Sequence, residues 1–154
     1  MPIKTYKGSI ANDTQIRINL RTNAGKVGYR IIKFDIMNEK PSSQDYEQVY
    51  KIYKSKQSSQ TNEINLSDMD LLAVAFDNGQ GGTPGRFYES IIFDNEVVNQ
   101  NIFITMIAAA GGGTTNGNYY LELEQIKLND NESTMATLQS IRSTFEALTP
   151  AGPT

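Results

Sequence analysis

The stretch Gln15-Ile16-Arg17-Ile18-Asn19-Leu20-Arg21 sets the reading of this chain. Ile16, Ile18 and Leu20 alternate with Gln15, Arg17, Asn19 and Arg21. Successive side chains on an extended backbone point to opposite faces, so this period of two describes a strand with one buried and one wet face. Asn23-Ala24-Gly25-Lys26 then supplies a turn, because Asn and Gly tolerate positive φ. Val27 to Met37 reads as a longer strand. Its Ile31-Ile32 pair, flanked by Tyr29, Phe34 and Ile36, predicts burial on both faces near the middle.

The same alternation recurs outward along the chain. Gln48 to Lys54 is rich in aromatic and β-branched residues, which fit a pleated surface. Ser55 to Asn62 is polar and turn-like. Leu71 to Phe76 is a short apolar run too short for a good helix, which predicts an interior strand bounded by a turn at Asp77-Asn78-Gly79. Phe87 to Phe93, Ile102 to Ala108 and Tyr119 to Leu128 complete the series. Two glycine-rich stretches, Gly79 to Gly85 and Gly111 to Gly117, separate them. Seven or eight short strands with turn signals between them, and no alternating helices, predict an all-β fold. The expectation is an antiparallel β-sandwich or jelly-roll-like domain with a short C-terminal helix or arm.

Beyond Ser133 the period changes. Met135, Leu138, Ile141, Phe145 and Leu148 recur at steps of three and four, which sets them along one stripe of a helix. Asn131 or Ser133 is the expected cap, and Thr149-Pro150-Ala151-Gly152-Pro153 the stop. The segment has three readings: a helix packed on its own sandwich, an arm that docks on a neighbouring subunit, or an extended tail, since its β-branched Thr and Ile weaken helix propensity. The resulting division is an N-terminal arm at 1–12, a sandwich at 13–128 and a C-terminal helix or arm with its tail at 129–154.

The chain has 154 residues, no cysteine and no histidine, and carries a net charge of -3 at pH 7. That length suits one domain that folds without metal or disulfide. Without imidazole or thiol, Ser-His-Asp and Cys-His catalysis are excluded and zinc chemistry is disfavoured. The acidic balance argues against a general nucleic-acid grip. No apolar run approaches the roughly 20 residues of a membrane span. No hydrophobic signal core follows the N-terminal charges, so a cleaved export signal is not expected. A local basic strip at Lys51, Lys54 and Lys56 reads more simply as a solvated strand face.

Other constellations read blandly. Asp68 with Asp70, and Glu122 with Glu124, would share a strand face and converge on a cation or a sugar, or would simply keep that face soluble. Asp77-Asn78-Gly79 and Asn129-Asp130-Asn131-Glu132 are oxygen-rich but lack the spacing of a calcium loop, so plain turns are expected. Neither glycine stretch ends in Gly-Lys-Ser/Thr or opens a helix, which removes a phosphate-loop reading. Tyr46, Tyr50, Tyr53, Tyr88, Tyr119 and Tyr120 are expected mainly in cross-strand packing, with stacking on sugars or bases as the sharper reading. No catalytic residue, metal site or cofactor is expected, so the chain reads as a binding or assembly part and not an enzyme.

Ser90 to Thr105 (Ser-Ile-Ile-Phe-Asp-Asn-Glu-Val-Val-Asn-Gln-Asn-Ile-Phe-Ile-Thr), Asn118 to Leu128 (Asn-Tyr-Tyr-Leu-Glu-Leu-Glu-Gln-Ile-Lys-Leu) and Ala136 to Arg142 resemble small virion structural proteins of tailed phages from marine bacteria. The resemblance covers residues 90–142 and carries no catalytic motif. It implies a virion location as a capsid decoration or cement protein. The implied partner is the major capsid protein or another virion protein, with homo-oligomers, trimers among them. Neither nucleic acid nor membrane is an expected partner. On this reading Met1 to Ile10 or the Met135–Leu148 stripe fastens the domain to its neighbour, and removal of Ser133 to Thr154 should leave a folded domain. The alternative is a carbohydrate- or receptor-binding β-sandwich module of a phage tail, and an enzyme using Asp, Glu, Tyr and Lys comes third.

Overall fold

The computed structural model describes residues 2–42, 46–79, 86–93, 95–108 and 116–148, with backbone alone at 86 and 143–148. The described strands are β1 (Ile3–Ile10), β2 (Thr14–Ile18), β3 (Val27–Asn38), β4 (Tyr46–Tyr53), β5 (Leu71–Gly79), β6 (Arg86–Ile92), β7 (Ile102–Ala108) and β8 (Gly117–Lys127), followed by the helix α1 (Asp130–Leu148). They form two antiparallel sheets, ordered β1-β8-β3 and β2-β7-β4-β5-β6. The sheets pack face to face as a β-sandwich. Tyr50, Ile52, Ile102, Ile104, Met106, Leu121 and Leu123 fill the middle, all withdrawn from solvent.

The pairing is that of one long hairpin rolled on itself, as in a jelly roll. β1 pairs β8, β2 pairs β7 and β4 pairs β5. The fourth pair departs from that scheme. β6 stays on β5 and meets β3 through side chains, with the Tyr88 hydroxyl donating to the Phe34 carbonyl at 3.4 Å. β6 is therefore an edge strand of the larger sheet.

Four expectations need correction. The Ile31-Ile32 pair is not buried on both faces, because β3 carries a β-bulge there. Ile31 opposes Leu123 and Lys33 opposes Glu122, so Ile32 is the extra residue. The bulge moves the inward face from odd to even positions, from Tyr29 and Ile31 to Phe34 and Ile36, and leaves Ile32 at the surface. The segment expected as an N-terminal arm is a strand over most of its length, since β1 pairs β8 from Ile3 to Ile10 and seals Ile10 into the core. Asp77-Asn78-Gly79 is not a turn; it is the last part of β5, with Asp77 fully buried. The cap of α1 is Asn129, not Asn131 or Ser133. Its Oδ1 accepts the Glu132 N–H at 2.8 Å, while Glu132 Oε1 accepts the Asn129 N–H at 3.2 Å. That reciprocal pair is a capping box, and Asp130 and Glu132 in the first turn suit the helix dipole. The glycine-rich stretches at 80–85 and 111–115 lie outside the described residues.

Candidate docking surface

The orientation of α1 follows from its small residues. Ser133, Ala136 and Ser140, at i, i+3 and i+7, share one helix face and are buried. Small side chains let the helix backbone come close to the body, where polar groups receive it. Asn99 is fully buried at the centre of that contact. The two N–H groups of its Nδ2 are shared among three acceptors, the Gly25 carbonyl at 2.9 Å, Thr137 Oγ1 at 2.8 Å and the Ser133 carbonyl at 3.1 Å. The Ser133 hydroxyl donates to the same Gly25 carbonyl at 2.7 Å. Gly25 has φ of 63°, and a Cβ on it would stand 3.1 Å from Asn99 Nδ2 and 3.2 Å from Ser133 Oγ. Both the backbone conformation and the space favour glycine there.

With that face turned inward, the apolar stripe turns outward. Met135, Leu138 and Ile141 are 62%, 58% and 57% exposed. Residues 130–148 are helical and not an extended tail, and these three members of the stripe are therefore not packed on their own sandwich. Phe145 and Leu148 continue α1, and their side chains lie outside the described ones. Burying three such side chains would be worth roughly 1.5–3 kcal/mol each.

A second apolar exposure lies at the edge of the larger sheet. Phe87, Tyr88 and Ile91 on β6 are exposed, and Phe87 meets Phe76 edge to face at 5.8 Å. Ile64 and Leu66 add to this surface beside Ile91, around a small apolar hollow of about 90 Å³. On the outer side of the smaller sheet is a wide trough of about 590 Å³, bordered by Lys7, Ser9, Asp35, Met37, Asn118 and Tyr120.

The other candidate residues fall into structural roles. Lys51 and Lys54 are neither a basic strip nor a solvated face; both are buried. Lys51 Nζ donates to the Glu63 carbonyl at 2.8 Å and Thr61 Oγ1 at 3.0 Å, and Lys54 Nζ pairs with Glu96 at 3.1 Å. Burial lowers the Lys51 pKa, against the opposing pull of Asp68 and Glu63. Asp68 and Asp70 do not share a strand face, because both precede β5. Asp68 Oδ1 accepts the Asp70 N–H at 2.9 Å, and Asp70 Oδ2 accepts from Ser55 Oγ and from Gln57 Nε2. Burial raises the Asp70 pKa, and those two hydrogen bonds work against the rise.

Glu122 and Glu124 do share the outer face of the smaller sheet. Each is engaged separately, Glu122 accepting the Tyr120 hydroxyl at 2.7 Å and Glu124 pairing with Arg30. Tyr46, Tyr50 and Tyr53 are packed, as cross-strand packing requires, while Tyr88 lies at the surface. Asn129 to Glu132 forms the helix cap. Among the described residues no group of three carboxylates is placed to hold a metal ion, and no helix is long and apolar enough to cross a membrane.

Local periodicity missed the tether at Asn99, Gly25 and Thr137. The one available signal was the run of small residues at 133, 136 and 140, opposite the apolar stripe. A scan against protein-family models finds no match for this chain, and a search of curated proteins finds none.

Proposed function

We propose that this chain is a non-enzymatic structural part of a virus particle, a capsid decoration or cement protein that docks through the outer stripe of α1. The observation that carries this reading is the outward placement of Met135, Leu138 and Ile141. A helix of an isolated domain normally turns such a stripe into its own core. Here a polar tether through Asn99 holds the opposite face down, and three large apolar side chains remain for a partner. Exposed apolar clusters of this kind mark interaction surfaces. The exposed residues of β6 give a second place for contact between copies or with a lattice neighbour. The particle itself enters through the resemblance of residues 90–142 to virion structural proteins.

The test is co-sedimentation with particles of the encoding phage that lack this protein. Met135→Gln, Leu138→Gln and Ile141→Gln together should leave the thermal transition nearly unchanged, since exposed positions shift stability by about 0.5 kcal/mol or less each. Particle binding should be lost. Truncation at Ser133 is a poorer test, because it also removes the buried Ser133 and Thr137 partners of Asn99. Full binding by the folded triple variant would refute the reading.

A further inference from the structure

Residues 54–70 connect β4 to β5, and part of this segment covers the outer face of the larger sheet. Gln57 exchanges hydrogen bonds with Gln15 of β2, and Lys51 reaches up to Thr61 and Glu63. Beneath this cover lies a cavity of about 270 Å³. Its floor is Lys51 and Tyr53, two apart on β4 and so on one face. Its rim carries hydroxyl, amide and carboxylate groups, among them Ser59, Thr61, Asn65, Glu63 and Asp68.

The composition of the wall narrows the ligand. One ammonium faces two carboxylates, a balance that disfavours an anion. The same ammonium repels a metal ion, and imidazole and thiolate ligands are missing from the chain altogether. The lining is almost wholly polar, so an apolar guest gains little there. What remains is a neutral molecule rich in hydroxyls, each of which both donates and accepts a hydrogen bond.

Lys51 is already oriented for this task. The residue is 2% exposed, two of its three donors are fixed on Thr61 Oγ1 and the Glu63 carbonyl, and its Nζ lies 5.7 Å from the centre of the Tyr53 ring. An immobilised donor loses little further freedom when a ligand arrives. The volume is near the lower end for small-molecule sites, roughly 300 Å³. That is room for one sugar ring and little more.

We propose that this cavity is a binding site for a single neutral sugar ring, with the Lys51 ammonium and the Asp68 carboxylate sharing a pair of neighbouring hydroxyls. This activity is separate from docking through α1 and stands or falls without it. In the alternative, Lys51 serves only to pin the cover to the sheet.

The experiment is an amide NMR titration of the full chain with glucose, galactose, mannose and N-acetylglucosamine. At least one of them should give saturable shifts concentrated within residues 51–68. Asp68→Asn keeps an oxygen for the Asp70 N–H and removes the charge, so it should weaken binding roughly tenfold, the worth of one charge-assisted hydrogen bond. Lys51→Met keeps the stem and removes the ammonium, and should abolish the shifts. If the Lys51→Met spectrum is not that of a folded protein, Asp68→Asn decides alone. Absence of saturable shifts with all four sugars would overturn the proposal. Undiminished binding in the folded variants would do the same.

Discussion

Asn99 is the residue on which the placement of α1 turns, and its replacement by Asp is a nearly isosteric perturbation with a large expected effect. The Asn99 amide donates toward three oxygens, the Gly25 carbonyl, the Ser133 carbonyl and Thr137 Oγ1, at 2.8–3.1 Å. Asn99→Ala removes about two net hydrogen bonds and leaves a small void, a loss of about 2–3 kcal/mol. Asn99→Asp keeps the shape but replaces the donors with a buried anion facing oxygens. An uncompensated buried charge costs about 3–5 kcal/mol, so at pH 7 Asp should be worse than Ala. Because Asp matches Asn in shape and leaves no void, its loss relative to the parent follows from the exchange of donors for charge.

The pH dependence has a definite sign. Burial among oxygens raises the folded pKa of the introduced carboxyl above its unfolded value of about 3.9. Its contribution is therefore most favourable below about pH 3.9 and is lost as pH rises through the raised value. Thermal unfolding of the two variants should show the gap between them narrowing as pH falls from 7 toward 3. At about 2–4 °C per kcal/mol for a domain of this size, Asn99→Ala should melt roughly 4–12 °C below the parent. Amide exchange should show α1 losing protection ahead of the sheets. An Asn99→Asp variant as stable at pH 7 as Asn99→Ala would refute the tether, as would unchanged protection of α1 in both.

Gly117→Ala should be among the most damaging single-methyl additions, because a Cβ there would overlap the Tyr50 hydroxyl oxygen. Tyr50 is fully buried and donates to Gln48 Oε1 at 2.6 Å, so overpacking and a broken hydrogen bond together predict about 3–5 kcal/mol by chemical denaturation. Less than about 1 kcal/mol would contradict the packing described. Asp70→Asn should change the pH profile of stability: because burial raises the Asp70 pKa, the parent's carboxyl contributes most below about pH 3.9 and less as pH rises through its folded value. The stability of the parent relative to Asp70→Asn should therefore fall between pH 3 and pH 7, and a difference independent of pH would count against that shift.

The strands were legible wherever a single chain shows one wet and one dry face. Ile16, Ile18 and Leu20, and likewise Leu121 and Leu123, announce their sheets by alternation alone. The β3 bulge was not legible, because adjacent Ile31 and Ile32 fit double-sided burial as well as a change of face. β1 was hidden for a different reason. Its inward positions are Lys4, Tyr6, Gly8 and Ile10, and only Ile10 carries an unambiguous apolar signal. Lys4 instead reaches the Tyr29 hydroxyl at 3.2 Å, and Gly8 leaves room for the Tyr119 ring.

The helix was legible, but its orientation was not. Periodicity reports which residues share a face; it does not report which face meets the body. The decision lies with Gly25 and Asn99, 108 and 34 residues from Ser133 in sequence. The burial of Lys51 is equally non-local, since it depends on Thr61 and Glu63 returning over β4. Charged residues on a strand default to a solvated reading until the path of the connecting segment is known.

Hydroxyl-radical footprinting of Met135, Leu138 and Ile141, in the free protein and on the particle, tests the docking claim most directly. The three side chains should label readily in the free protein and become protected on binding. Protection already present in the free monomer would place the stripe against its own domain, and equal labelling in both states would remove it from the interface.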